Sequence, residues 1–223
     1  MAPFQREAIM PTTLTYLFDP LCGWCYGASG VLPMLLNATE LTLTLQPTGL
    51  FSETGARAMD DALADHAWQN DQRIARLTGQ VFSERYRQQV LKDRTQAFDS
   101  GPVTVALTAV HLTTPEREFE VLKAIQHARY VKGDDITRME TLAHLLETLG
   151  LDEAAAMLAS PQEFLLRANR ERTRHGQALM NQVGARGVPT LLLAQEGRGI
   201  RLLDTSALFS SPDALARELA AVA

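Results

Sequence analysis

Two cysteines separated by two residues, Cys22 and Cys25, constrain this chain more than any other feature. Before them, residues 13–18 read Thr-Leu-Thr-Tyr-Leu-Phe, a composition typical of a β-strand. After them, leucine and valine recur at helical spacing as far as Asn37. The sequence therefore predicts a strand and then a helix that begins near residues 22–24, with both cysteines at the junction.

A cysteine at the start of a helix lies near unpaired backbone N–H groups and the positive end of the helix dipole, and both stabilise a thiolate. We therefore predict that Cys22 is the nucleophile that forms a mixed disulfide with a substrate, and that Cys25, one helical turn later, resolves it. Gly23 and Trp24 between them carry no charge, so the helix terminus must supply most of the stabilisation. The Trp24 ring is predicted to face the substrate, with packing on the domain as the alternative.

The same cysteine spacing also occurs in half of a zinc site, which needs two further ligands. The chain has five histidines that could supply them, none at paired ligand spacing with another: His66, His111, His127, His144 and His175. Because there is no second cysteine pair, the sequence favours redox chemistry, with no metal and no bound cofactor beyond the redox-active disulfide itself. An idle cysteine pair, in a fold kept for binding, is the remaining alternative.

A second motif, Gly187-Val188-Pro189-Thr190, directly precedes the apolar run of residues 191–193. Proline is tolerated at the first residue of a strand because no ladder hydrogen bond is lost there. We predict a cis Val188-Pro189 peptide that approaches the cysteine pair and leaves the Val188 backbone free to pair with an extended substrate. Val188 and Pro189 are therefore predicted substrate-binding residues, and Thr190 completes the motif.

Strand patterns return at residues 41–45, 190–194 and 200–203, whereas helical spacing fills the middle of the chain. This order predicts one α/β domain that is interrupted by an all-helical insertion. The predicted boundaries are 1–55 and 185–223 for the α/β domain, 56–160 for the insertion, and 161–184 for a helix that bridges back to the domain.

Within the helical middle, Ser100 is predicted to cap one helix, and Thr137 with Glu140 to form a capping box at the start of another. A group of arginines near residue 170 is interpreted as the solvated face of a long helix, with an anion or glutathione contact as the alternative. This group is Arg167, Arg170, Arg172 and Arg174.

Residues 18–27, which read FDPLCGWCYG, together with the helical middle and the late Gly-Val-Pro-Thr motif, resemble the DsbA-like branch of the thioredoxin superfamily. More narrowly, they resemble its predicted protein-disulfide isomerases without a signal peptide, related to FrnE. The resemblance implies a thioredoxin-like fold with a large helical insertion, and a thiol-disulfide oxidoreductase or isomerase that acts on protein or small thiol substrates. It implies Cys22 as nucleophile, Cys25 as resolving cysteine and Pro189 as the cis-proline facing them. Glutathione is a candidate reductant, and a cytoplasmic glutathione pool favours reduction or isomerisation over net oxidation.

The chain departs from the periplasmic oxidants of this family at two places. They have proline and histidine between the cysteines, and an acid six residues before the nucleophile, where this chain has Tyr16. The proton acceptor for Cys25 therefore stays open. Two other functions stay open as well: a glutathione-dependent transferase or isomerase of the kappa or hydroxychromene-carboxylate isomerase type, which has serine where Cys22 stands, and a chaperone-like peptide-binding module.

Charge and hydropathy exclude two classes of partner. The 223 residues carry a net charge of −5 and contain no run of lysine and arginine interleaved with aromatics, so a nucleic-acid surface is not expected. No segment is long and apolar enough to span a bilayer, and residues 1–13 lack the apolar stretch of a secretory signal. If Met1 is the native start, we expect a cytoplasmic protein whose partners are protein, peptide or small-molecule disulfides.

Overall fold

The computed structural model describes residues 12–39, 41–195 and 197–221. Its strands are β1 (Thr13–Phe18), β2 (Thr42–Pro47), β3 (Arg57–Ala58), β4 (Ala97–Phe98), β5 (Thr190–Gln195) and β6 (Gly199–Leu202). Its α-helices are α1 (Gly23–Asn37), α2 (Asp61–Thr78), α3 (Glu84–Tyr86), α4 (Gly101–Thr113), α5 (Glu118–His127), α6 (Met139–Thr148), α7 (Asp152–Ala159), α8 (Glu163–Val183), α9 (Ala207–Ser210) and α10 (Pro212–Ala220). Helices α3 and α5 each continue into a π-helical turn, Arg87–Leu91 and Ala128–Lys132.

Four strands form one mixed sheet in the order β2-β1-β5-β6. Strand β1 runs parallel to β2 and antiparallel to β5, so that Tyr16 lies between Leu45 and Leu191. The last three residues of β1 are fully buried, so both faces of the sheet are covered at this end of the strand. A strand buried on both faces is apolar throughout, which explains why these residues do not alternate in polarity. The predicted α/β sheet, with strands taken from both ends of the chain, is confirmed.

Helix α1 connects β1 to β2 and packs against α2, α9 and α10. Its limits agree with the predicted helix, and its buried face includes Ala28, Leu32 and Leu35. The helix therefore lies between the sheet-forming part of the chain and the helices that the sequence places in the insertion. Side chains from both parts of the chain can therefore contact the first residues of α1 and the cysteine pair.

Helix α4 lies at the centre of the helical region, where it packs against α5, α6, α7 and α8. All residues from Val103 to Val110 are buried, which is the pattern of a helix covered on every side. The helical region also contains a short ribbon in which β3 pairs with β4, with Arg57 opposite Phe98. This ribbon is an addition to the predicted helices, since strands of two residues have no alternating pattern that a sequence could reveal.

The two predicted caps in this region do not form. Helix α6 has Arg138 at its N-cap, and the Thr137 hydroxyl instead donates to Asp135 Oδ1 at 2.6 Å, so the predicted capping box is wrong. Ser100 occupies the N-cap position of α4, but its side chain makes no capping bond. Its backbone is helical instead of extended, which does not favour acceptance from the first-turn N–H groups, and its hydroxyl donates to Asp19 Oδ2 at 2.7 Å.

Helix α8 runs closely past the end of β2. A Cβ atom added to Gly176 would lie 2.4 Å from the carbonyl oxygen of Pro47, so only glycine fits at this crossing.

Arg172 on the same helix is largely buried, so the predicted solvated face does not include it. Its Nη2 donates to Glu118 Oε1 at 2.7 Å and to the Leu45 carbonyl at 3.2 Å. This largely buried ion pair joins α8 to α5 and to the sheet.

Among the described residues, no helix combines the length and the apolar character needed to cross a bilayer.

Candidate active site

Cys22 is the N-cap residue of α1. Its backbone is extended, its carbonyl accepts from the Tyr26 N–H at 3.0 Å, and its side chain makes no capping bond. The sulfur therefore belongs to the residue at the start of the helix, where the N–H groups of the first turn have no intrahelical partner. The side chain is only 9% exposed. A substrate must reach this sulfur through a restricted opening.

The sulfur of Cys22 also contacts the loop before β5. Cys22 Sγ donates to the carbonyl oxygen of Val188 across 3.7 Å. The peptide bond between Val188 and Pro189 is cis. The next residue, Thr190, holds this loop in place, since its hydroxyl donates to the Gly187 carbonyl at 2.7 Å. The structure thus brings the two sequence motifs together at one sulfur atom.

Cys25 lies one turn further along α1 and has no exposed surface. Burial raises the pKa of the Cys25 thiol well above its ordinary value, and the hydrogen bond and charge of Cys22 add to that effect. The negative charge of Asp19 acts in the same direction, whereas a backbone hydrogen bond with Asp19 opposes it. Cys25 is therefore held as a neutral thiol, the state expected of a resolving cysteine that waits for a mixed disulfide.

Asp19, at the end of β1, carries a fully buried carboxyl group. Three donors serve it: the backbone N–H of Leu21 at 2.9 Å, the N–H of Phe51 at 3.0 Å and the Ser100 hydroxyl. Burial raises the pKa of Asp19, although these three hydrogen bonds counteract the effect. The group fixes the turn that leads into the cysteine pair, since both of its oxygens are engaged by that turn and its neighbours.

Two tyrosines form the base of the cysteine turn. The Tyr16 hydroxyl donates to the carbonyl of Cys25 at 2.8 Å, and the Tyr130 hydroxyl donates to the carbonyl of Leu21 at 2.7 Å. Burial raises the pKa of the Tyr16 phenol well above its ordinary value, and the nearby thiols add to it. Tyr16 is thus a neutral donor to the backbone at the position where the periplasmic oxidants have an acid.

Trp24 separates two openings on either side of the cysteine pair. Its half-buried ring packs edge-on against Phe209 with centroids 5.0 Å apart, and the Arg73 guanidinium lies 5.7 Å from the ring centre. One opening, which we call the proline-side groove, has a volume of about 570 Å³. Its lining includes Trp24, Val188, Pro189, Thr190, Asp204 and Phe209. The predicted substrate-binding residues therefore share one surface.

The second opening, which we call the insertion-side cavity, lies between α1 and the helical region and has a volume of about 330 Å³. Its lining includes Cys22, Gly23, Trp24, His66, Asp71 and Tyr86. Asp71 is 4% exposed, and burial raises its pKa from 3.8 to about 7, although a hydrogen bond from Tyr86 and the charge of Arg129 oppose the change. A titratable carboxyl group is thus placed in the same cavity as the nucleophile.

Arg129 lies behind this cavity and is 1% exposed. Its guanidinium carbon is 5.5 Å from the ring centres of Tyr86 and Phe98 and 5.7 Å from that of Tyr130. Within the described residues, Nε and Nη2 of Arg129 have no hydrogen-bond partner. The guanidinium lies against aromatic faces instead. Its positive charge partly offsets the burial that raises the pKa values of Asp19 and Asp71.

Residues 13–220 match the family model described as a DSBA-like thioredoxin domain. The chain belongs to this family. Membership in the DSBA-like family makes it an enzyme that acts on disulfides, on a thioredoxin-like fold with added helices.

Solved structures of the same fold agree with this assignment. The cytosolic disulfide reductase DsbM from Pseudomonas aeruginosa is 36% identical over 93% of this chain and 96% of its own, with a TM-score of 0.81. Its structure with GSH has a TM-score of 0.79. A putative protein disulfide isomerase from Nitrosomonas europaea is 24% identical over 93% of this chain and 98% of its own, with a TM-score of 0.74, and shows the fold alone. A search of the curated proteins finds no match.

Several residues of this DSBA-like site were not found from the sequence. The sequence alone assigns no role to Asp19 and identifies Tyr16 only as a departure from the periplasmic oxidants. Asp71 carried a usable signal, because it lies three residues from both Trp68 and Ile74 on the apolar face of α2, where a polar residue is unexpected. Arg129 had none. Within the described residues, no group of three or more histidine, cysteine or acidic side chains could hold a metal ion.

Proposed function

We propose that this protein reduces and isomerises disulfides in protein or small thiol substrates through its Cys-Gly-Trp-Cys pair. One observation carries the proposal: the Cys22 sulfur lies at a helix N-cap, 3.7 Å from the Val188 carbonyl, while the neutral Cys25 thiol is buried one turn away. Cys22 keeps a small exposed surface and can react with a substrate. Cys25 has none, so its thiol can react only with Cys22.

In the first step, the Cys22 thiolate attacks one sulfur of the substrate disulfide. A bond forms between the two sulfurs, the substrate S–S bond breaks, and the second substrate sulfur leaves as a thiolate that takes a proton. In the second step, Cys25 loses its proton and attacks the Cys22 sulfur. This breaks the mixed disulfide, releases the first substrate sulfur as a thiolate that takes a proton from the solvent, and leaves a Cys22–Cys25 disulfide.

The oxidised pair must then be reduced again. Two glutathione thiols suffice: the first forms a mixed disulfide with one cysteine, and the second releases it as oxidised glutathione and restores the dithiol. The structure of DsbM with GSH supports glutathione as the reductant. Because that relative is described as cytosolic, we assign this protein to the same compartment, where glutathione favours the reduced pair.

Substrate binding is assigned to the proline-side groove. An extended segment can pair with the backbone of Val188, while its neighbouring residues contact Pro189 and the half-buried face of Trp24. We further propose that residues 56–160 act as an inserted domain. Its helix α2 forms one wall of the insertion-side cavity and so restricts access to Cys22.

Reduction of insulin disulfides by glutathione tests this proposal with wild type, Cys22→Ser and Cys25→Ser. We expect wild type to reduce insulin, Cys22→Ser to be inactive and Cys25→Ser to accumulate a mixed disulfide. A transferase or isomerase of the kappa type has no need of Cys25, so any activity measured for wild type would persist in the Cys25→Ser protein. A chaperone-like module would prevent insulin aggregation equally in all three proteins. Either result would contradict the proposal.

A further inference from the structure

Asp71 is out of place on physical grounds. It stands on the apolar face of α2, it is 4% exposed, and among the described residues its carboxyl group forms no salt bridge with lysine, arginine or histidine. Burying a carboxylate without a paired cation is costly, whereas a leucine or alanine here would pack without that cost. An apolar residue would, however, leave the buried Tyr86 hydroxyl without its acceptor, so the acid is held by contacts outside α2.

The carboxyl group has one oxygen that faces Gly23, the residue that follows Cys22. Its Oδ2 accepts a hydrogen bond from the Tyr86 hydroxyl at 2.9 Å. Its Oδ1 faces Gly23, so closely that a Cβ atom added there would lie 2.3 Å from this oxygen. Glycine between the two cysteines thus lets the carboxyl group reach the backbone of the redox motif. Cys22 and Asp71 then line the same cavity.

The reaction needs a group that can both give and take a proton at this place. A departing substrate thiolate must be protonated in the first step, and Cys25 must be deprotonated in the second. Asp19 acts on Cys25 through its charge and a backbone hydrogen bond, but both oxygens of Asp19 already accept hydrogen bonds from the turn and its neighbours. In Asp71, by contrast, Oδ1 faces the redox motif itself.

We infer that Asp71 is the acid–base group that the inserted helix α2 supplies to the Cys22–Cys25 pair. The inference rests on the proposed function. In the first step the Asp71 carboxylic acid gives its proton to the departing substrate thiolate and becomes a carboxylate. In the second step this carboxylate takes the proton of Cys25 as the Cys25 sulfur attacks Cys22. The group is then an acid again, so one proton is returned for each substrate disulfide that is opened.

The charges around Asp71 fit this exchange. Burial keeps the Tyr86 phenol neutral, since its pKa is raised well above the ordinary value, so Tyr86 remains a donor to the carboxylate. Arg129 lies behind the Tyr86 ring and keeps the pKa of Asp71 from rising further. Cys22, Arg57 and His66 are the other titratable side chains that line the cavity, and Arg57 and His66 are exposed. The pKa of about 7 allows both forms of Asp71 near neutral pH.

The test is a single turnover of the reduced protein with hydroxyethyl disulfide, an uncharged probe. Samples are quenched with acid, and mass spectrometry follows the dithiol, the mixed disulfide and the Cys22–Cys25 disulfide. In wild type, the resolution rate should rise with pH through about pH 7 and level off about two units above it, because a base of that pKa is then almost fully ionised. Asp71→Asn keeps the size and can still accept from Tyr86. It should resolve the mixed disulfide at least about tenfold more slowly at neutral pH, with no levelling.

Two further variants make the test specific. Asp65→Asn removes an exposed acid from the same helix and should keep the wild-type profile. Tyr86→Phe removes a hydrogen bond that lowers the pKa of Asp71, so the inflection should move to higher pH. Identical profiles for wild type, Asp71→Asn and Tyr86→Phe would overturn this inference while leaving the proposed function intact. Failure of wild type to form any mixed disulfide at Cys22 would instead overturn the proposed function.

Discussion

The sulfur of Cys22 lies 3.7 Å from the carbonyl oxygen of Val188, although 166 residues separate them in the chain. This contact exists because β1 and β5 are neighbours in the sheet, which places the turn after β1 beside the loop before β5. Residues of the helical region also fix the cysteine turn, since the Ser100 hydroxyl donates to Asp19 and the Tyr130 hydroxyl donates to the Leu21 carbonyl. The site therefore depends on the sheet for this contact and on the helical region for the position of the turn.

The two cysteines should differ strongly in their reactivity with alkylating agents. Cys25 has no exposed surface, and burial raises its pKa, so it is both sheltered and protonated. Iodoacetamide added to the reduced protein at about pH 6 should therefore label Cys22 and leave Cys25 unmodified. Peptide mapping after a time course measures this order. Labelling of both residues at the same rate would contradict the assignment of Cys25 as the resolving thiol.

Gly23→Ala should destabilise the protein, because the new Cβ would lie 2.3 Å from Asp71 Oδ1. We expect a loss of about 1–3 kcal/mol in the free energy of unfolding, measured by urea denaturation. The matched control is the same substitution in an Asp71→Ala background, where the obstructing oxygen is absent. There the loss should largely disappear. An equal loss in both backgrounds would show that Asp71 does not occupy the space beside Gly23.

Asp71 should also make the protein less stable as the pH rises. Its pKa in the folded state is about 7 against an ordinary 3.8, so between these values the folded protein binds the proton that the unfolded chain releases. The stabilisation from this proton is present at low pH and is lost as the pH rises to about 7, a change of about 4 kcal/mol.

The Asp71→Asn protein has no titratable group at this position. Urea denaturation of both proteins from about pH 4 to about pH 8 should show the variant gaining stability relative to wild type as the pH rises, up to about pH 7 and not beyond. A stability difference that stays constant with pH would contradict the placement of Asp71 in a dry environment.

The ion pair between Arg172 and Glu118 should be important for stability, because both side chains are largely buried. Arg172→Met leaves the Glu118 carboxylate with only its hydrogen bond to His111 and should cost about 3–5 kcal/mol. Arg167 on the same helix is a suitable control, since it is exposed and 3.9 Å from Glu171. Arg167→Met should change the stability by less than about 0.5 kcal/mol. Equal effects of the two substitutions would argue against the burial of Arg172.

Much of the site could be predicted because its signals are local. The run of residues 13–18 and the helix after it are visible in a short window, and the Cys22 position at a helix start follows from them. The Val188-Pro189 motif stands before an apolar strand and is equally visible. What joins these two segments is strand pairing, which the order of strands implies but no short window contains.

The remaining residues could not be predicted because their roles depend on distant elements. Arg129 is surrounded by rings from three separate segments, and Asp71 meets Gly23 only when α2 packs on α1. The spacing of Thr137 to Glu140 predicts a capping box, but α6 begins one residue later, with Arg138 at the N-cap, and the Thr137 side chain bonds to Asp135 instead. Local patterns show which residues can make an interaction, and tertiary packing decides between competing partners.

The most direct test of the central claim is the reaction of the Cys25→Ser protein with oxidised glutathione, followed by intact mass measurement and peptide mapping. Cys22 is at the helix N-cap and in contact with the Val188 loop, so it should form a stable mixed disulfide with one glutathione. The Cys22→Ser protein, whose remaining thiol is buried, should form none under the same conditions. No adduct on Cys22, or an adduct on Cys25 that forms as fast in the Cys22→Ser protein, would contradict the account.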